Sequence, residues 1–75
     1  MMLNIQQAAD MIDRAGFLGA ARVFRSQPFR RHQILIAIRP ALIRAVGDVM
    51  ANRILAHAEM AAERERHRVT GRIGE

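Results

Sequence analysis

Few side chains in this sequence could attack a substrate. Ser26 is the single serine and Thr70 the single threonine, and cysteine, lysine and tyrosine are absent. His32 stands six residues after Ser26, but no acid is spaced to orient its imidazole. A Ser–His nucleophile needs that third group, so Ser26 is better explained as a helix cap. General acid–base work would have to draw on Asp10, Asp13, Asp48, Glu59 and Glu63, and none sits in an apolar stretch with a facing carboxylate. No glycine-rich loop offers amides to a phosphate. The residue types predict a protein that is not an enzyme and carries no cofactor.

Metal chemistry has slightly more to work with. Glu59, Glu63 and His67 follow at i,i+4 spacing and share one helix face. One such row supplies two or three ligands where a closed zinc site takes four, so a surface ion pair is the expectation and no metal site is assigned. His57 falls in an apolar stripe, which suits a pH-sensitive interface histidine or, more simply, a half-buried polar group at an interface edge.

Binding is the remaining chemistry, and arginine carries it. All twelve basic residues are arginine, a bias expected of a GC-rich bacterial or phage genome, and the net charge is +5. Residues 1–13 carry −2 and residues 14–44 carry +7 without a single acid. Residues 45–62 carry −1 and residues 63–75 carry +1. Arg22, Arg25, Arg30 and Arg31, interleaved with Phe24 and Phe29, are the candidate partner-binding residues. Arginine forms bidentate bonds to carboxylates and stacks on aromatic rings, which suits an acidic protein surface.

The elements that position these residues read as helices. Asn4 with Gln7 three residues on is a capping-box pattern. Ile5, Ala8, Ala9 and Ile12 follow at helical spacing, Asp10 can pair with Arg14, and Gly16 suits the residue just past a helix end. The first helix is therefore placed at 5–15. Phe17, Ala20, Ala21 and Phe24 set a second at 17–25. Ser26 reads as the cap of a restart, with Pro28 in its first turn. The run Ile34–Ile38 could be a buried strand, which before Pro40 would resemble the opening of a ribbon-helix-helix protein. The later sequence lacks the turn between two helices that this family needs, so a helix bent near Pro40 is preferred.

From Ala41 the pattern predicts one long helix. Ile36, Ile43, Met50 and His57 recur every seven residues, with Pro40, Gly47, Ile54 and Ala61 between them. A second row, Leu35, Ile38, Leu42, Val46, Val49, Ala56 and Met60, lies alongside, and the combined face is wider than a coiled-coil seam. Gly47 costs about 1 kcal/mol in a helix interior, which close approach of another backbone could justify. Ile36, Ile43, Gly47, Met50, Ile54 and His57 are accordingly the expected oligomer interface. The fold expectation is all-α: two short N-terminal helices, a segment kinked at Pro40 and one long C-terminal helix, assembled as a homodimeric bundle. Residues 1–69 form a single helical domain and 70–75 a flexible tail.

Size supports self-association. A chain this short buries a limited share of its surface, and without cysteine it has no disulfide to help. No stretch reads as a signal peptide or a membrane span, so the bacterial cytoplasm is the expected location. The preferred reading is a small regulator, of a kind found in bacteria and phages, that binds a host protein through residues 14–44. The alternative is a basic DNA-binding regulator with a helix-turn-helix-like N-terminal half, for which the pI near 11.7 is the electrostatic footprint. Against it, the second helix lacks the Asn, Gln, Ser and Thr side chains that read base edges. A third reading places the Phe- and Arg-rich stretch on an anionic membrane surface.

Overall fold

Asn4 starts the fold as the sequence suggests. Its Oδ1 accepts from the Gln7 amide at 2.8 Å and the Gln7 side chain accepts from the Asn4 amide at 3.0 Å, which completes a capping box. The computed structural model describes the backbone of residues 3–74 and the side chains of residues 3–67. Helix α1 runs Ile5–Arg14, α2 Leu18–Ser26, a 3-10 turn Pro28–Arg30, α3 Arg31–Val46 and α4 Asp48–Gly74. The described residues contain no strand, so Ile34–Ile38 is helical.

The first turn is a Schellman motif. Gly16 takes φ +101° and donates to the Asp13 carbonyl at 2.9 Å, while the Phe17 amide reaches the Ile12 carbonyl at 3.2 Å. Ile12 is fully buried and Phe17 packs against the same core. Asp10 accepts from Gln6 at 3.2 Å, and no ion pair forms with Arg14.

Further along, the chain departs from the expected boundaries at Ser26 and at Pro40. Ser26 ends α2 instead of opening the next element. Its hydroxyl donates to the Arg22 carbonyl at 2.6 Å, and Gln27, without a side-chain bond, precedes the 3-10 turn. The larger correction concerns Pro40 and Gly47. Helix α3 continues through Pro40, which is exposed, as is Ile36, whose carbonyl loses its helical donor to the proline and can turn to water. The chain breaks instead at Gly47, at φ +88°, ψ 163°. That region is open almost only to glycine. The Gly47 amide closes α3 on Ile43 at 2.8 Å, and its carbonyl opens α4 by accepting from Ala51 at 2.9 Å. One residue thus reverses the direction of the chain. Nothing lies within 4 Å of where a Gly47 Cβ would stand, so the glycine is required for its backbone angle and not for close packing. Asp48, in the first turn of α4, complements the positive end of that helix.

The helices form two antiparallel hairpins: α1 lies on α2 and α4, and α3 lies on α4 and α2. Ala8, Ala9 and Ile12 of α1 and Ala20, Ala21 and Phe24 of α2 meet Leu35, Ile38 and Leu42 of α3. Ala51, Ile54, Leu55, Ala58 and Ala61 of α4 close the core with the i, i+3, i+4, i+7 spacing of one helix face. Alanine at half of these positions lets the four helices approach closely, and Phe24, Ile12 and Leu42 are the bulkiest fully buried groups. The 27 residues of α4 extend about 40 Å at 1.5 Å per residue, close to the 43 Å long axis of the molecule. The helix is continuous past residue 69, where the sequence set the start of a tail, and Glu75 lies outside the described residues.

Candidate functional site

The arginine-rich segment divides into one buried residue and six exposed ones. Arg31 is 8% exposed. Its Nε donates to the Phe24 carbonyl at 2.6 Å, a second guanidinium nitrogen reaches the Arg25 carbonyl at 3.2 Å, and the guanidinium carbon lies 5.6 Å from the centre of the Phe24 ring. The reason is local. Within a helix the Phe24 carbonyl would take its donor from residue 28, and residue 28 is proline, which has no amide hydrogen. Arg31 occupies that place from the first turn of α3, with its positive charge at the negative end of α2. Burial lowers the pKa of the guanidinium, and the charge of Glu65 works in the opposite direction. Arg31 is therefore a clamp between α2 and α3, and Phe24, fully buried, is the ring it covers. Both leave the set of candidate partner-binding residues: Phe24 is fully buried, and Arg31, though it borders the groove beside α4, spends its guanidinium donors on the Phe24 and Arg25 carbonyls.

Arg14, Arg22, Arg25, Arg30, Arg39 and Arg44 are all exposed, and none takes part in an ion pair among the described residues. On α2, Leu18, Arg22 and Arg25 follow at i, i+4 and i+7 and share a stripe turned away from the buried Ala20, Ala21 and Phe24. Arg53 and Arg64 of α4 are likewise exposed and outside the ion pairs of the described residues, so exposed positive charge without an ion pair occurs on all four helices and on the 3-10 turn. The ion pairs lie elsewhere: His32 Nδ1 meets Glu59 at 3.7 Å between α3 and α4, and Glu63 meets Arg66 at 3.9 Å and His67 at 3.3 Å along α4. The expected row of Glu59, Glu63 and His67 is thus divided between two partners, and no three metal-ligating side chains gather among the described residues.

Phe29 has the opposite setting to Phe24. It is 99% exposed on the 3-10 turn. Leu18, Ile36, Val49, Met50 and Met60 are the other large apolar side chains facing solvent. Beside Phe29 an open groove of about 1040 Å³ runs between the start of α3 and the middle of α4. Leu35 and Met60 give it an apolar floor, and Glu59 and Glu63 stand on its α4 side.

The heptad row expected as an oligomer seam does not run along one helix. Gly47 folds it back, so Ile36 and Ile43 belong to α3, while Met50, Ile54 and His57 belong to the antiparallel α4. Ile54 is buried in the chain's own core, Ile43 and His57 are half-buried, and Ile36 and Met50 are exposed. The groove had no counterpart in the sequence reading, because it exists only once α4 returns along α3. No helix among the described residues is long and apolar enough to cross a membrane. No protein-family model, curated protein or solved structure matches this chain.

Proposed function

We propose that this chain is a small, non-catalytic interaction protein that acts as a homo-oligomer and regulates a larger protein by docking on an acidic patch of its surface. Arg22, Arg25 and Arg30 form the centre of that contact, with Arg14, Arg39 and Arg44 around it. The single supporting observation is the unopposed charge: within residues 14–44, six exposed arginines on α1, α2, the 3-10 turn and α3, none in an ion pair among the described residues. A guanidinium with no internal partner keeps its donor fork for a carboxylate in another molecule. Leu18 within the α2 stripe adds the apolar contact that protein interfaces combine with arginine.

The same charge supports nucleic-acid binding as a second reading. The exposed positions of α2 are Leu18, Gly19, Arg22, Arg25 and Ser26, which hold phosphates better than they read bases.

Affinity capture from a nuclease-treated bacterial lysate, run with the native chain and with Arg22→Glu plus Arg25→Glu, separates these readings. The proposal expects an acidic protein retained by the native chain and lost by a variant that keeps its helical circular-dichroism spectrum. Retention of duplex DNA at ~0.1 M salt, weakening steeply as salt rises, would favour the second reading. Capture unaffected by the double charge reversal would contradict the arginine surface.

A further inference from the structure

Gly47 bends the chain without giving up either of its own helical bonds. Its amide reaches the Ile43 carbonyl at 2.8 Å, and its carbonyl accepts from the Ala51 amide at 2.9 Å. Both bonds span four residues, as in an unbroken helix. Straightening the chain therefore asks one residue to change its dihedrals, from φ +88° to the helical region. It would also add three bonds, from the amides of Asp48, Val49 and Met50 to the carbonyls of Arg44, Ala45 and Val46, groups that the bend leaves without a backbone partner.

The apolar pattern suits the straight form as well. Ile43, Val46, Gly47 and Met50 follow at i, i+3, i+4 and i+7, so a continuous helix gathers them on one side. In the bent chain Ile43 and Val46 are half-buried and Met50 is 45% exposed. Ala51, Ile54, Leu55, Ala58 and Ala61, by contrast, are buried in the core, and a chain that straightened alone would lose that burial. A second copy offers α4 the same bed.

We infer that Gly47 is a hinge through which two copies exchange α4, each laying that helix on the other's α1 and α3. The core contacts of α4 are then made between chains. The two straight helices cross at Gly47, and Ile43, Val46 and Met50 of one copy meet those of the other there. An exchange of this kind is two-fold and stops at two copies. At low concentration the bent form wins, because a helix joined through one residue is present at an effective concentration of at least millimolar order. The exchanged dimer carries the Leu18, Arg22 and Arg25 stripe twice, which makes it a bivalent form of the surface proposed above. Exchange uses buried side chains and is independent of any contact that closed chains make through exposed ones.

Cross-linking shows whose α4 is bound. His32 and Glu59 face each other across α3 and α4 at 3.7 Å, and the chain has no cysteine of its own. A short bis-maleimide linker on His32→Cys with Glu59→Cys joins α3 to α4 within one chain when closed, and between two chains when exchanged. After refolding from urea at micromolar concentration, this double variant is linked within single chains. Refolding at millimolar concentration yields covalent dimers on a denaturing gel. Adding Gly47→Ala yields those dimers at micromolar concentration too. Alanine is strained at the bend and favoured in a helix, which shifts each chain about thirtyfold toward the straight form and the dimer about a thousandfold. Two glycines inserted after Gly47 relax the joint and abolish the dimers, while circular dichroism shows the helices intact. Links confined to single chains, in folded Gly47→Ala or in the double variant refolded at millimolar concentration, would overturn the exchange. That result would leave the homo-oligomer reading standing, since closed chains that associate by their surfaces keep α4 at home.

Discussion

Phe24 with Arg31 and Phe29 with Arg30 pair the same two residue types a few positions apart, and the fold treats them in opposite ways. The first pair is closed. Phe24 is buried, and Arg31 covers its ring and holds two carbonyls at the end of α2. The second pair is open, with an aromatic ring and a guanidinium both presented to solvent. The difference arises from Pro28. By withholding an amide hydrogen it leaves the Phe24 carbonyl in need of a donor, and Arg31, one helical turn beyond, is placed to supply it. Arg30 has no such demand on it. A basic segment thus holds one arginine that maintains the structure and six that are exposed and outside the ion pairs of the described residues.

If the division is real, damage to the closed pair should appear as lost stability and damage to the open pair as lost association. The largest effect is expected for Phe24→Ala. Emptying a fully buried aromatic site destabilises by about 3–5 kcal/mol, against a total of about 4–11 kcal/mol for a domain of 75 residues. Thermal melting followed by circular dichroism should find the variant largely unfolded at 37 °C. Arg31→Ala comes next, at about 2–4 kcal/mol, because two carbonyls lose charged donors. Arg31→Lys should recover only part of the loss in the same melts, since an ammonium lacks the planar fork that serves both carbonyls. Full stability in Arg31→Ala would dissolve the distinction between the arginines.

Gly47→Ala tests the joint that brings the groove together. Forcing a Cβ into that backbone region costs about 1–3 kcal/mol, to be measured by urea denaturation. A neutral result would mean that α3 and α4 form one continuous helix, and the groove would then not exist. The smallest effect on the folded chain is expected for Arg22→Glu with Arg25→Glu, within about 0.5 kcal/mol. A large loss of stability there would make those arginines structural, like Arg31.

The sequence foretold most local structure. Asn4 with Gln7, Gly16 and Pro28 each signal a helix boundary through chemistry confined to a few neighbours, and each behaves as that chemistry requires. Gly47 was misread for a physical reason. With a joint of one residue, the apolar spacing continues unbroken from Ile43 to Met50, so the periodicity of two helices imitates that of one. Pro40 then drew the break to itself, although its exposed position lets the helix pass through. The roles of Arg30 and Arg31 could not be separated in advance either. Nothing in their flanking residues distinguishes them, and the carbonyls that Arg31 serves lie across a turn whose geometry only the fold sets.

If the chain acts as a homo-oligomer through its open pair, folding and assembly should be linked, and the concentration dependence of unfolding tests that link most directly. A dimer gains apparent stability with protein concentration by mass action. The urea midpoint of the native chain should rise steadily across a hundredfold increase in concentration, while that of Phe29→Ala stays fixed. A native midpoint that does not move, or a Phe29→Ala midpoint that moves equally, would contradict the assignment of Phe29 to association and leave the two phenylalanine–arginine pairs without a functional difference.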